Sequence, residues 1–297
     1  MLGIFYSLLA SALFGGLYYL STLLRPLAGV EVFGFRMLLM FPFMLILLFV
    51  VLRKRAEFVN FLQRIQREPY LIFVLMLTAT LCGVQMWLFL WAPNSGKAID
   101  VSIGYLLMPI TMVIVGKFAY KEQLSKLKIL AIILAFVGVM SSVVASASLS
   151  WASALVFLGY PAYFMVRKKY QISHIYSFVC EIALLLPVAA WFISQIELAP
   201  ILEVNPRLYF YLFLLGLFSG VALMSYTLAS TLLPFNMLGL LGYVEPCVMM
   251  LVSFLIGERL DPSAYTLLLC LSFAISCLIL DGIALMRRKK RLERANA

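Results

Sequence analysis

The sequence predicts an all-α polytopic membrane protein, with ten transmembrane helices arranged as two inverted five-helix repeats around a central cavity. Three observations carry that prediction. The first is composition: 64% of the 297 residues are hydrophobic and only 12% are charged, against about 45–50% and about 25% in soluble domains. The second is the partition of basic residues among the connections. Eighteen of the 23 Lys and Arg fall in connections 2–3, 4–5 and 6–7 and in the C-terminal tail. Four (Arg25, Lys97, Arg207 and Arg259) fall on the opposite side, and Arg36 lies inside a span. The positive-inside rule then places both termini in the cytoplasm. The third is an internal echo: Gly104-Tyr105, Pro109 and Glu122 recur as Gly242-Tyr243, Pro246 and Glu258. An offset of about 137 residues, near half the chain length, reads as a repeat, with chance as the alternative since Gly, Pro and Tyr are common in membrane helices; five spans per half, an odd number, turn the second half upside down.

Taken in order, span one is expected over about Gly3–Ser21, with Gly15-Gly16 as a close-packing spot, and span two over about Val32–Leu52, holding Arg36 and Pro42. The basic connection that follows carries Phe58, Phe61, Leu62 and Ile65 at i, i+3, i+4 and i+7, the pattern of an amphipathic helix lying in the membrane interface. Span three, about Tyr70–Ala92, ends in the aromatic run Trp87, Phe89 and Trp91. Spans four and five cover about Val101–Ala119 and Leu127–Ala147. Span six covers about Leu149–Val166 and is followed by Arg167-Lys168-Lys169. Span seven, about Ile175–Ile196, holds Glu181 and Pro187, and a short loop with Pro200 and Pro206 leads to span eight, Leu208–Leu233. Span nine is Asn236–Glu258, and span ten, about Ser263–Met286, stops at Arg287–Arg291. The first repeat is therefore 1–147, and the second is 148–297 with a basic cytoplasmic tail. The first apolar run has no basic region before it, so a cleaved signal peptide is not expected.

Span nine is the most unusual. It is long enough to cross a hydrocarbon core about 30 Å thick, yet carries Gly239, Gly242, Glu245 and Pro246 near its middle. A carboxylate at that depth costs roughly 2.5–3.5 kcal/mol on insertion scales, so it faces a polar cavity or a partner. Broken, charged spans at mid-membrane are how solute carriers build binding sites. Glu245 suits a proton carrier, or a carboxyl hydrogen-bonded to a neighbouring helix. Arg36 and Glu181 each lie six residues before a proline in the second span of their half. With inverted halves they stand about 10 Å apart along the membrane normal. They pair directly only if one snorkels; otherwise each has its own partner. The expected substrate or transport residues are Arg36, Gln85, Trp87, Trp91, Asn94, Tyr105, Glu181, Tyr243 and Glu245. Trp87 and Trp91, at i and i+4, form a cavity wall with Asn94 and Tyr105, or else a headgroup belt. Glu122, Glu258 and Asp281 sit at helix ends or near an interface, as structural anchors.

The chain resembles the drug/metabolite transporter superfamily, EamA-type, and within it the RarD-like permeases. The residues that carry the resemblance are WLFLWAPN (87–94), SIGYLLMP (102–109), the helix-ending KE (121–122) and GE (257–258), MVRKK (165–169) and EIALLLPVAA (181–190). It covers essentially the full length. It implies a ten-helix inner-membrane carrier with inverted repeats and a central cavity, and it implies that Arg36, Glu181 and Asp281 occupy family-typical charged positions. Glu245 departs from the family, where that position is usually uncharged, so a proton role there would be particular to this chain. Gly3–Ser21 contains no acid, so the proton mechanism of the small four-helix multidrug transporters does not carry over.

The function expected is secondary transport of a small organic solute, an amphipathic drug or a metabolite such as an amino acid, exported across the bacterial inner membrane by alternating access. The alternative is a non-transporting membrane subunit or receptor-like protein, against which the matched internal charges argue. An intramembrane enzyme requires a nucleophile–base or metal constellation. The five cysteines (82, 180, 247, 270, 277) form no CxxC, and His174 is the single histidine, so no metal and no cofactor are expected. The net charge of +10 lies in clusters beside apolar spans, which points to lipid headgroups rather than nucleic acid. The expected partners are a small-molecule substrate, protons as a coupling ion, and the bilayer. Ten spans close a cavity without a second copy, so a monomer is expected.

Overall fold

In the computed structural model, residues 2–120, 124–146, 150–233, 238, 241–259 and 264–295 are described. Among them the chain forms twelve α-helices and no strand. They are α1 (Leu2–Leu23), α2 (Gly29–Ile46, continued by a π-turn over Leu47–Val51), α3 (Arg55–Arg67), α4 (Tyr70–Trp91), α5 (Ala98–Tyr120) and α6 (Lys126–Ser146), followed by α7 (Trp151–Lys169), α8 (Ile175–Ser194), α9 (Leu198–Val204), α10 (Leu208–Leu232), α11 (Val244–Leu255) and α12 (Ala264–Ala295). Seven of these segments are long and apolar enough to cross a membrane: α1, α2 with its π-turn, α4, α5, α8, α10 and α12. The chain is therefore a multi-pass membrane protein.

Local sequence explains most boundaries. The Glu31 carboxylate accepts from the Ala28 amide at 2.7 Å, closing the first turn of α2. Arg53, at φ +52°, turns the chain out of α2 and into α3. Pro161 inside α7 leaves the Phe157 carbonyl without its usual partner four residues on. The Thr111 hydroxyl of α5 donates to that carbonyl at 2.7 Å. The break in span nine falls at the turn Gly242-Tyr243 rather than at Pro246. Pro246 lies in the first turn of α11, where a missing N–H costs nothing. The basic run at 287–291 ends the apolar span but not the helix, for α12 continues to Ala295. The connection with Pro200, expected as a loop, contains one short helix, α9.

The helices pack mainly across the two halves of the chain. α1 lies on α10 and α11, and α7 lies on α4 and α5. α2 packs on α8 and α10, α8 also on α4, α5 on α11, and α6 on α12. At Gly104 helix backbones approach closely: a Cβ there would stand 2.8 Å from the Ser153 carbonyl oxygen of α7. One core joins α1, α2, α4, α7, α8 and α10 with one side of α5 and α11. A second joins α5, α6, α11 and α12, and a small third fixes α3 onto α4 and the α7–α8 turn.

Candidate functional site

Two groups of charged residues are buried in this bundle, and they differ in one respect. The first is closed. Glu181 of α8 is fully buried and pairs with Arg167 at 2.6 Å. Its carboxylate also accepts from the Tyr163 hydroxyl at 2.8 Å and the Thr78 hydroxyl at 2.8 Å. Arg167 donates to the Tyr163 hydroxyl at 2.6 Å, the His174 carbonyl at 2.9 Å and the Ser177 hydroxyl at 3.0 Å. Ser177 in turn donates to the Ile172 carbonyl. Three helices and one turn are tied together, and both charges are neutralised where they lie.

The second group is open. Arg36 of α2 is buried, yet its guanidinium makes no hydrogen bond or ion pair among the described residues, and its Nε is fully enclosed without a partner. The guanidinium lies 5.4 Å over the Phe89 ring. Phe89 meets Tyr105 edge-on at 6.2 Å, and the Tyr105 and Tyr160 hydroxyls share a hydrogen bond of 2.9 Å. Glu245 stands in the first turn of α11, where the helix dipole favours an anion. It makes no hydrogen bond or ion pair among the described residues. Glu245 and Tyr160 are both half-buried.

The other sequence-derived candidates are distributed around these two groups. Gln85 donates to the Leu155 carbonyl at 2.6 Å, while its Oε1 is buried and unpaired. Trp87 stacks near Trp91 at 5.4 Å, and Trp91 meets Trp151 at 5.2 Å. The Trp87 Nε1 is buried without a partner. Asn94 is committed elsewhere: it accepts from Arg25 Nε and donates to the Ser21 carbonyl, both at 2.9 Å. Tyr243 packs in the core that joins α5, α6, α11 and α12. Asp281 lies 3.9 Å from Lys128 of α6. The Glu258 carboxylate accepts from the Ala98 and Ile99 amides at 2.8 and 2.7 Å, released by Gly257 at φ +93°. Glu122 lies outside the described residues.

Sequence reading missed Arg167, Tyr163, Thr78 and Tyr160. Arg167 was absorbed into the basic cluster that sets topology. A usable signal existed: Tyr163 repeats Tyr18 at the same offset by which Glu181 repeats Arg36 and Pro187 repeats Pro42.

The comparisons define a membrane transporter, and the chain belongs to the EamA-like transporter family, within the drug/metabolite transporter superfamily, as a RarD-like permease; the family matches residues 1–144, and the relatives below match nearly the whole chain. It is 47% identical to an uncharacterised transporter of Haemophilus influenzae over 95% of this chain and 94% of that one. It is 46% identical to an uncharacterised transporter of Pasteurella multocida over 97% and 98%. With a Pseudomonas aeruginosa protein named chloramphenicol-sensitive protein RarD it shares 34% identity over 97% of each chain. No solved structure matches the chain.

Proposed function

We propose that the chain is a secondary transporter that exports a small organic solute bearing an anionic group across the bacterial inner membrane, by alternating access. One observation carries this reading: Arg36 is buried and has no hydrogen-bond or ion-pair partner among the described residues. An isolated buried charge costs several kcal/mol, and polar groups are left unsatisfied in native proteins where a ligand or water completes them. Arg36 receives the substrate anion. Glu245 takes a substrate amine or the coupling proton. Phe89, Tyr105, Tyr160 and Trp87 hold the apolar body. Glu181, already satisfied by Arg167, acts in transport by opening and closing the α7–α8–α4 contact rather than by touching substrate.

The packing pattern supports two inverted five-span repeats, 1–147 and 148–297; the basic-residue partition supports cytoplasmic termini, and the monomer is taken as the working unit. Number α1, α2, α4, α5 and α6 as spans one to five, and α7, α8, α10, α11 and α12 as spans six to ten. Span one packs on eight and nine, and span six on three and four. Span two packs on eight, and span seven on three. Spans two and seven, four and nine, and five and ten meet their own counterparts. Exchanging the halves maps each of these contacts onto another, as a pseudo-two-fold axis requires.

The test is flux in proteoliposomes with and without a pH gradient, over a panel of amino acids and amphipathic anions. Wild-type flux that is abolished in Arg36→Ala, with insertion intact, is expected. Loss of the gradient response in Glu245→Gln identifies the proton carrier. Unchanged flux in Arg36→Ala overturns the assignment.

A further inference from the structure

The surface of α3 is basic, amphipathic and only partly used by the protein. Phe61 is buried, and Phe58 and Ile65 pack against the rest of the chain. Along the next side of the helix stand Arg55, Val59, Leu62 and Gln66, at i, i+4, i+7 and i+11, so they form one strip. All four are exposed. At the end of α2, which meets α3 through the Phe49–Phe58 ring contact, Phe49, Val50 and Val51 are exposed as well. The acids of this region are already used: Glu57 pairs with Lys54 at 2.6 Å, and Glu68 binds Arg64 and the Tyr70 hydroxyl. Arg53, Arg55 and Arg67 are exposed and have no acidic partner among the described residues. Arg55 also opens the first turn of α3, where the helix dipole opposes a cation.

The opposite side of the same helix is bolted to the closed charge group. Arg64 donates to the Tyr170 carbonyl at 3.2 Å and the Gln171 carbonyl at 3.3 Å. That turn, with Gln171 at φ +54°, also supplies the Ile172 and His174 carbonyls that hold Ser177 and Arg167.

We infer that the α3 strip is a docking site for an anionic phospholipid, with acyl chains on Val59 and Leu62 and the headgroup on Arg53 and Arg55. Through Arg64, the docked lipid orders the α7–α8 turn and so holds the Arg167–Glu181 pair closed. The surplus of arginines beside exposed aliphatic side chains matches a lipid that is anionic at one end and apolar at the other. A soluble anion would leave Val59 and Leu62 uncovered.

The test uses the full chain in nanodiscs of phosphatidylcholine with an increasing fraction of phosphatidylglycerol, and needs no transport substrate. Phosphatidylglycerol is expected to raise the thermal unfolding midpoint and to slow amide exchange over 170–178 in the wild type. Both effects are lost in Arg53→Gln/Arg55→Gln, and also in Val59→Gln/Leu62→Gln, a second route if the arginine variant folds poorly. Arg64→Gln retains the bound lipid by native mass spectrometry but loses the slowed exchange. Lys117→Gln/Arg287→Gln removes the same charge elsewhere and keeps both effects. A response that persists in the Arg53/Arg55 variant, or one lost equally in the Lys117/Arg287 control, overturns the inference: the lipid would then act through net charge alone.

Discussion

The Arg167–Glu181 pair and the unpaired Arg36 make opposite statements about what a buried charge is for. Removing one member of a closed pair leaves the other stranded, at a cost of about 3–5 kcal/mol. Glu181→Gln is therefore expected to lower the thermal unfolding midpoint sharply, and the double variant Arg167→Met/Glu181→Leu to recover much of the loss; calorimetry of the three proteins checks this. Arg36→Ala is expected to leave that midpoint unchanged or raised, because it removes a charge with no partner, and to lose transport. Arg36→Lys keeps the charge but not the planar fork, so transport is expected to fall while remaining measurable. The sequence made Arg36, Glu181 and Glu245 visible, since a charge within an apolar run stands out wherever it lies. It did not separate the satisfied acid from the unsatisfied one. The partners of Glu181 come from α4 and α7, and helix rotation, which decides such meetings, leaves no periodic trace.

At the scale of elements, proline positions were legible and their consequences were not. Pro161 breaks the hydrogen-bond ladder of α7 and Thr111 repairs it from α5, whereas Pro246 breaks nothing because α11 begins beside it. Thr111→Val is expected to destabilise the protein by about 1–3 kcal/mol, the cost of an unsatisfied buried carbonyl, and Pro161→Ala in that background to restore part of it; thermal unfolding of the set measures both. Gly104→Leu is expected to abolish folding, since the side chain would enter the α7 backbone. The amphipathic helix α3 was read from four residues, Phe58, Phe61, Leu62 and Ile65, and the structure separates them: Phe61 is buried and Leu62 is exposed. In the α7–α8 turn, partial burial and the nearby Arg167 and Arg64 charges hold the His174 imidazole below its ordinary value of 6.5. The unfolded chain then takes up this proton first as pH falls. Stability contributed at this site is lost as pH drops from about 6.5 towards the folded value, and rises again with pH. The His174 ring signal in NMR is expected to titrate below 6.5, and His174→Asn to flatten the stability profile over that window.

For the whole molecule, hydropathy and basic-residue counts were enough to read a multi-pass helical protein, because the bilayer imposes length and polarity on every span. They carried no information on which helices meet. The proposed topology makes a direct prediction: in a cysteine-free background, a cysteine at Ser95 reacts with impermeant maleimide from outside intact cells, and one at Gln171 reacts only after lysis. The same side for both would remove the inverted arrangement. The Glu258 bridge to Ala98 and Ile99 spans 160 residues of sequence, and this bears on how the protein is made. The first amides of α5 leave the ribosome long before the carboxylate that receives them. At synthesis rates of roughly 5–20 residues per second, they wait on the order of 10–30 s in the insertion machinery or in lipid. α1 likewise waits for α10. The N-terminal half therefore emerges with its main packing surfaces uncovered, and a nascent chain truncated after α6 would be a client for membrane quality control rather than a stable half-protein.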